Sequence, residues 1–241
     1  MQDRYAGDIG DFGKIGLLKA LQTQGLSVGV NWYRVEPMDT EKKEDGTYKQ
    51  EDGKYLIPEK LQVCDASLAE QLTKIAKSNN RSIKSLEKGD FIPNARYYSE
   101  PITVVGRDEW HKRALVLLKG LDIVFMDPDN GLRSGRPSAR KDAPKFVYAS
   151  EVCDYYDRDQ DVVYYCHKGR RTDAQWERAK HIMLGGHPEA ALMGVTYHRG
   201  TQRSYIFMVH PEREAIYQKL LKGFLETAWK DCFTYEFSNI L

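Results

Sequence analysis

The 241-residue sequence contains no apolar run that approaches the roughly 18 residues of a membrane-spanning helix. Its first residues are polar and acidic, whereas a secretory signal would be basic and then apolar. Its four cysteines, Cys64, Cys153, Cys166 and Cys232, are far apart and include no C-x-x-C pair. This spacing argues against a disulfide framework or a zinc cluster and favours reduced thiols. These absences predict a cytoplasmic protein that does not associate with membranes.

An excess of charge of one sign is also lacking, because the formal net charge is +1. That balance excludes a uniformly basic nucleic-acid-binding surface and leaves room only for a local basic patch. A hydrophobic fraction of 41% is sufficient for a packed core. The sequence shows no repeat, low-complexity tract or linker. We therefore expect a single α/β domain over residues 1–241, with a polar insertion at about 38–60.

Three apolar segments rich in β-branched and aromatic residues each end abruptly in a polar loop. They are residues 121–126, 162–166 and 192–197. Continuous apolar runs of this length are typical of strands buried on both faces of a parallel sheet. Ligands of such sheets bind outside the carboxyl ends of the strands. We therefore expect the three loops to meet at one edge of the sheet and to hold a phosphate-bearing substrate.

Helical and strand patterns alternate along the rest of the chain. Helical spacing begins near residue 8 and recurs in later segments, the last of which covers residues 212–229. A long loop follows the strand at 121–126. The strands at 190–197 and 204–209 are separated by a short glycine-containing link, which favours a hairpin. The alternation predicts an α/β fold with a three-layer, Rossmann-like, largely parallel sheet and a C-terminal antiparallel hairpin.

The strongest single motif is the loop of residues 127–131, with the sequence Asp-Pro-Asp-Asn-Gly. Two neighbouring carboxylates at a partly buried edge would raise the pKa of one of them, as a general acid or base requires. His167 directly follows the second strand and is suited to proton transfer. The candidate catalytic residues are therefore Asp127, Asp129, Asn130 and His167. An ordinary turn is the alternative, since Asp, Asn and Gly are common in turns.

Cations and further polar side chains supply candidates for binding the substrate and its phosphate. One group follows the second and third strands, and a second group lies in the N-terminal segment, where Asp8, Asp11 and Lys14 share one face if helical. Solvated cations and helix-capping acids are the alternative for both groups. The complete set is Lys168, Arg170, Arg171, His198, Arg199, Arg203, Arg4, Tyr5, Asp8, Asp11 and Lys14.

The loop at 127–130 resembles the Asp/Asn-Pro-Pro-Tyr loop of amino-directed methyltransferases that act on adenine or cytosine. Residues 4–14, with Leu17 and Leu18, resemble the N-terminal segment of the ribosomal-RNA adenine-N6 methyltransferases and of a widespread uncharacterised bacterial and phage family. The resemblance covers roughly the first 20 residues and residues 120–210. It implies a methyltransferase-type sheet and S-adenosylmethionine as cofactor. Position 129 departs from the family pattern, and Trp32 and Tyr33 stand where such an enzyme has a glycine-rich turn.

A second, weaker resemblance is to the loops of uracil-type DNA glycosylases. The Asp127-Pro128 pair is similar to their water-activating loop, and His210-Pro211 is similar to their second catalytic loop. This resemblance implies a carboxylate that orients water or stabilises a cationic sugar, and cations that hold phosphates around an extruded nucleotide.

These patterns predict a nucleic-acid-directed hydrolase that acts on a single extruded nucleotide in the manner of a DNA glycosylase. We expect DNA as the partner in preference to RNA, and no cofactor or metal. One alternative is an S-adenosylmethionine-dependent base methyltransferase with a degenerate cofactor loop. Another is a nuclease in which Asp127, Asp129 and either Asp8 or Asp11 bind Mg²⁺. The last alternative is a non-catalytic nucleic-acid-binding module.

Overall fold

The computed structural model describes residues 1–36, 56–133 and 135–237. The helices are α1 (Ile9–Gln22), α2 (Ala66–Lys77), α3 (Ile83–Lys88), α4 (Arg107–Leu117), α5 (Ala149–Tyr156), α6 (Asp173–Ile182) and α7 (Glu214–Leu225). The strands are β1 (Val28–Asn31), β2 (Arg96–Tyr98), β3 (Ile123–Met126), β4 (Gly131–Arg133), β5 (Phe146–Tyr148), β6 (Asp161–Cys166), β7 (Ala191–Tyr197), β8 (Arg203–Val209) and β9 (Phe233–Phe237). Residues 38–55 of the predicted insertion at 38–60 lie outside the described residues.

Seven of the described strands form the central sheet, in the order β2-β1-β3-β6-β8-β7-β9. Strands β2, β1, β3 and β6 are mutually parallel. Strand β8 runs antiparallel to both β6 and β7, and β9 runs antiparallel to β7. The predicted α/β fold with a largely parallel, Rossmann-like sheet and an antiparallel C-terminal hairpin is confirmed. The edge strand β9, and a small parallel pair formed by β4 and β5 within the predicted long loop, are additions to that prediction.

Helices cover both faces of the sheet because its central strands are buried on both sides. Every residue of β1, β3 and β6 is buried. One core layer packs under α1, α2, α3 and α7, and includes Phe12, Leu72 and Leu221. The other layer packs under α4, α5 and α6, and includes Trp110 and Tyr155. Within the described ranges, every helix is too short or too polar to cross a membrane.

Helix α1 approaches the sheet closely because glycine recurs at every third position on one of its faces. A Cβ atom added at Gly10 would lie 2.8 Å from the guanidinium carbon of Arg203, and one at Gly13 would lie 2.8 Å from the Tyr197 ring. Gly16 continues the stripe and leaves no room for a Cβ beside Trp229. The stripe therefore holds the first turn of α1 against the β7–β8 end of the sheet.

The winding direction of the sheet reverses between β1 and β3. After β1 the chain forms β2 on one side of β1, and it then crosses to form β3 on the other side. Asn31 and Met126 are register partners at the carboxyl ends of these two strands. Open α/β sheets bind their ligands in the crevice at such a switch point. The N-terminal end of α1 and the loops that follow β3, β6 and β7 lie around this point.

Candidate functional site

A cavity of about 320 Å³ opens at the carboxyl edge of the sheet, and we call it the edge cavity. It is formed by residues 1–14, by the loops after β3 and β6, and by the β7–β8 turn. Most of the residues predicted from the sequence line it. They are Arg4, Tyr5, Asp8, Asp11, Lys14, Asp127, Asp129, Asn130, His167 and Arg203. Arg4 and Arg203, which are 199 positions apart in the sequence, therefore line the same cavity.

The remaining predicted ligands lie outside the edge cavity. Lys168 pairs with Asp173, and Arg171 donates to the backbone carbonyls of His167 and Lys168 within its own loop. His198 contacts the Thr234 hydroxyl at 2.6 Å and lines a separate shallow pocket together with Lys168. Arg170 is exposed on the loop after β6.

Arg199 also points away from the edge cavity. Its Nη2 donates to the carbonyl of Asp231, the last residue of the 3-10 helix Ala228–Asp231 that precedes β9. Its positive charge acts to lower the pKa of Cys64, which lies in the turn that precedes α2. The structure therefore places Arg199 beside a different group of side chains.

Lys14 is the central buried cation of the edge cavity. Its Nζ donates to Asp11 Oδ1 and to Asp127 Oδ2, both at 2.7 Å. Burial acts to lower the pKa of Lys14, but the two carboxylates outweigh it and raise the pKa above its ordinary value. Lys14 also lies 5.2 Å from the centre of the Trp32 ring. Lys14 therefore links the carboxyl groups of α1 and of the loop after β3.

The carboxylates of the loop after β3 are both engaged. Asp127 is 3% exposed, and burial raises the pKa of its carboxyl group even though Lys14 acts against that shift. Asp129 accepts a hydrogen bond from Gln2 Nε2 at 2.7 Å and pairs with the amino group of Met1 at 3.0 Å. Burial acts to raise the pKa of Asp129, but the Met1 charge and the Gln2 hydrogen bond keep it below its ordinary value. Asp129 is therefore a fixed anion at neutral pH.

Asp8 differs from these two carboxylates in the partners of its two oxygens. Oδ1 accepts from the backbone amides of Gly10 and Asp11 and caps α1. Oδ2 faces Arg203 Nη2 at 3.9 Å, which is beyond hydrogen-bonding distance. Burial and the nearby Asp11 raise the pKa of Asp8 to about 6. Asp8 therefore has the proton affinity of a general base that works near neutral pH.

His167 is held in one tautomer by its two neighbours. Its Nδ1 lies 2.8 Å from the Gln202 carbonyl, which can only accept, so Nδ1 carries the proton. Nε2 then accepts from the hydroxyl of Tyr165. Burial and the charge of Arg203 lower the pKa of His167, so its ring is neutral at neutral pH. Tyr165 and His167 form a neutral hydrogen-bonded pair in the cavity wall.

Several lining residues were not identified from the sequence, among them Gln2, Lys145, Tyr165 and Thr201. Lys145 follows the long loop, and its carbonyl accepts from the Asn130 amide at 2.8 Å, which brings it to the rim. Tyr165 lies within an apolar strand pattern that marks it as core. In the sequence, the nearby His167 is the residue that could have indicated that the end of this strand reaches the cavity.

The end of β1 is filled by aromatic side chains. Trp32 and Tyr33 are both buried, and Tyr33 has φ of 44°, a left-handed conformation that usually favours glycine. The Tyr33 hydroxyl donates to Glu151 Oε2 at 3.0 Å, and its ring packs against Trp110. Tyr33 therefore has a backbone conformation that glycine usually adopts, and its ring fills the space beside the end of β1.

The carboxylates of the edge cavity are arranged differently from metal ligands. In the part of the chain that the structure describes, no group of three or more His, Cys, Asp and Glu side chains is placed to hold a metal ion. Asp11 and Asp127 converge on Lys14 Nζ, which occupies the position that a cation would take between them.

No family model matches the sequence, and no curated protein matches it. A search of solved structures found the crystal structure of protein LPL1258 from Legionella pneumophila str. Philadelphia 1, described as family-model DUF519. It is similar to this chain with a TM-score of 0.45 and 13% sequence identity, over 96% of this chain and 97% of that one.

Proposed function

We propose that this chain is a hydrolase that acts on nucleic acid at a single nucleotide held in the edge cavity, and that it cleaves the glycosidic bond. The observation that carries the proposal is the convergence of Asp8, Asp127, His167 and Arg203 on one cavity at the switch point of the sheet. Each comes from a different segment of the chain, and together they provide a base, a buried carboxylate paired with Lys14, a neutral imidazole and a cation.

The size of the edge cavity supports a single nucleotide as the occupant. Its volume of about 320 Å³ lies at the lower end of the range for small-molecule sites, which is roughly 300–1,000 Å³. A base within a stacked duplex cannot enter such a recess, so the nucleotide is extruded or single-stranded. We assign the hydrogen bond to the base to Asn130, which is exposed at the rim.

Asp8 is the base that we assign to the reaction, in place of the loop carboxylates favoured by the sequence. Asp127 and Asp129 pair with cations at 2.7 and 3.0 Å, whereas Asp8 Oδ2 lies 3.9 Å from Arg203 and the pKa of Asp8 is about 6. In the proposed step, Asp8 takes a proton from water as the water oxygen bonds to the sugar C1′. The bond from C1′ to the base breaks, and the base leaves with the electron pair.

The group of Lys14, Asp11 and Asp127 contributes electrostatically. Positive charge develops on the sugar as the glycosidic bond breaks, and this group places two carboxyl groups around one ammonium in a buried position. Fixed charges in a site of low dielectric stabilise such a transition state without reorganising. Arg203 and Lys145 supply positive charge for the flanking phosphates.

Base methylation is the second candidate, and the position of the 127–130 loop at the edge cavity favours it. The same loop of amino-directed methyltransferases binds the target base. The ring of Tyr33 at the end of β1 counts against it, because this is where the cofactor would approach the backbone. Calorimetric titration with S-adenosylmethionine distinguishes the two candidates, since the hydrolase proposal predicts no saturable binding.

The proposal is tested by incubating the protein with oligonucleotides that carry normal, deaminated and alkylated bases, followed by alkali. Hydrolysis leaves abasic sites that alkali converts to strand breaks. The rate should rise with pH through about 6, because Asp8 must lose its proton to act as a base. Asp8→Asn should reduce the rate by about 10²–10⁴-fold, which is the usual contribution of a general base.

Asp65→Asn is the matched control for Asp8→Asn. Asp65 also caps a helix, accepting from the Leu68 amide at the start of α2, and it lies outside the edge cavity. Both substitutions remove one negative charge and retain a capping side chain. Intact strands with every substrate, or equal rates for Asp8→Asn and wild type, would contradict the proposed reaction.

A further inference from the structure

Cys64 and Cys232 form a pair of thiols that the sequence does not suggest, because 168 residues separate them. Their sulfur atoms lie 3.9 Å apart. Cys64 lies in the turn before α2, and Cys232 lies in the turn between the 3-10 helix Ala228–Asp231 and β9. A disulfide needs a sulfur separation of about 2.05 Å, so each sulfur has to move by about 1 Å. Turns accommodate such side-chain rotation more easily than helix or strand interiors.

The two thiols differ in access. Cys64 is partly exposed and lines a groove of about 800 Å³ between α1 and α7. Cys232 is 1% exposed and lies behind it. A small molecule in the groove therefore reaches Cys64 first, and Cys232 is placed to react second. This is the arrangement of an attacking thiol and a resolving thiol.

We propose that Cys64 and Cys232 are a redox modification site, which small-molecule disulfides convert to an intramolecular disulfide. The Cys64 thiolate attacks one sulfur of the small disulfide, forms a mixed disulfide and releases one thiolate. The Cys232 thiolate then attacks the Cys64 sulfur and releases the second. The two protein thiols lose two electrons and two protons, and the small disulfide gains them as two thiols.

The surroundings of Cys64 determine how the reaction depends on pH. Burial and the neighbouring Cys232 raise the pKa of Cys64 to about 12. Asp231 acts in the same direction, and Arg199 acts against it. Since the thiolate is the nucleophile, the rate should increase by about tenfold per pH unit between pH 7 and 9. The groups around the pair therefore make the site slow at neutral pH and reactive in alkaline solution.

The test uses the folded wild-type chain with glutathione disulfide, followed by acid quenching, proteolysis and mass spectrometry. We expect a mass loss of about 2 Da and a peptide that links Cys64 to Cys232, both reversed by reductant. The cross-link closes a long loop, so the melting temperature of the oxidised chain should rise by ~5–10 °C. Cys64→Ser should abolish these changes.

Cys153→Ser is the matched control, because Cys153 is partly buried like Cys64 and its thiol faces the Leu184 carbonyl at 3.6 Å. This variant should form the cross-link at the wild-type rate. A stable glutathione adduct on Cys64 with Cys232 still reduced would overturn the proposal. So would a folded chain that stays unmodified at pH 9 while the denatured chain reacts.

Discussion

Asp8 combines two roles at the start of α1, and the two have opposite effects on stability. As an N-cap it stabilises the helix through the amides of Gly10 and Asp11. As a buried carboxylate near Asp11 it has its pKa raised from 3.8 to about 6. A carboxyl group whose pKa is higher in the folded state destabilises that state when it ionises. The raised pKa that suits Asp8 to the proposed reaction therefore lowers the free energy of unfolding when Asp8 is ionised.

This opposition predicts the effect of Asp8→Asn on unfolding. Well below pH 3.8 Asp8 is protonated in the folded and the unfolded chain and imposes no penalty. As pH rises through about 6 the penalty develops fully, and the shift corresponds to on the order of 3 kcal/mol. Asn retains the cap and removes the charge, so the variant should be more stable than wild type above pH 6. Urea unfolding at pH 4 and pH 8 measures this, and a pH-independent difference would contradict the assigned pKa.

At the scale of elements, the site depends on how closely α1 lies against the hairpin of β7 and β8. Asp8, Asp11 and Lys14 reach the edge cavity because Gly10 and Gly13 allow Arg203 and Tyr197 to pack directly on the helix. Glycine in a helix interior ordinarily destabilises it by about 1 kcal/mol relative to alanine. The close approach offsets that cost.

Alanine substitutions in α1 and α7 should therefore have opposite signs. Gly13→Ala places a methyl group 2.8 Å from the Tyr197 ring, so we expect a loss of about 1–3 kcal/mol in the free energy of unfolding. Gly223 lies in α7, and apart from its chain neighbours and the nearby backbone of α7 no described atom lies within 4 Å of the position its Cβ would take. Gly223→Ala should stabilise the chain by about 0.5–1 kcal/mol. Chemical denaturation measures both, and stabilisation by Gly13→Ala would refute the packing argument.

The same elements show which parts of the fold could be predicted from the sequence. Strands β3, β6, β7 and β8 follow from continuous apolar runs, which leave few alternatives to a buried sheet. Strand β9 has a mixed sequence, Phe-Thr-Tyr-Glu-Phe, and is defined by pairing with β7. Glu236 in this strand accepts from Ser204 and Trp176, contacts that link distant segments. Strand pairing of this kind depends on contacts between distant segments, so it leaves no local pattern in the sequence of β9.

For the molecule as a whole, the predicted edge of the sheet holds the acids but only part of the predicted cations. Strand polarity alone places Asp127, His167 and Arg203 at one edge, which is why their convergence could be predicted. The direction of a side chain within a loop depends on local contacts. Arg171 donates to the His167 carbonyl within its own loop, and Arg199 donates to the Asp231 carbonyl before β9. Such contacts cannot be derived from the spacing of residues.

The distribution of charge predicts how nucleic-acid binding depends on salt. The net charge is +1, and the cations that line the edge cavity beside the buried Lys14 are Arg4, Lys145 and Arg203. Contact with three phosphates of a single strand gives a slope of about −2 in a plot of log affinity against log salt concentration. A non-catalytic module that binds along an extended basic surface would give a much steeper slope.

Arg203→Gln and Arg170→Gln form a matched pair for this measurement, made with Asp8→Asn protein so that the strand stays intact. Arg203 lines the edge cavity, so its loss should reduce the slope by about 0.7 and weaken binding. Arg170 is exposed outside the cavity, so its loss should leave the slope unchanged within error. Fluorescence anisotropy with a labelled single-stranded oligonucleotide at several salt concentrations measures both variants. A larger effect of Arg170→Gln than of Arg203→Gln would place the nucleic acid on the loop after β6 and outside the edge cavity.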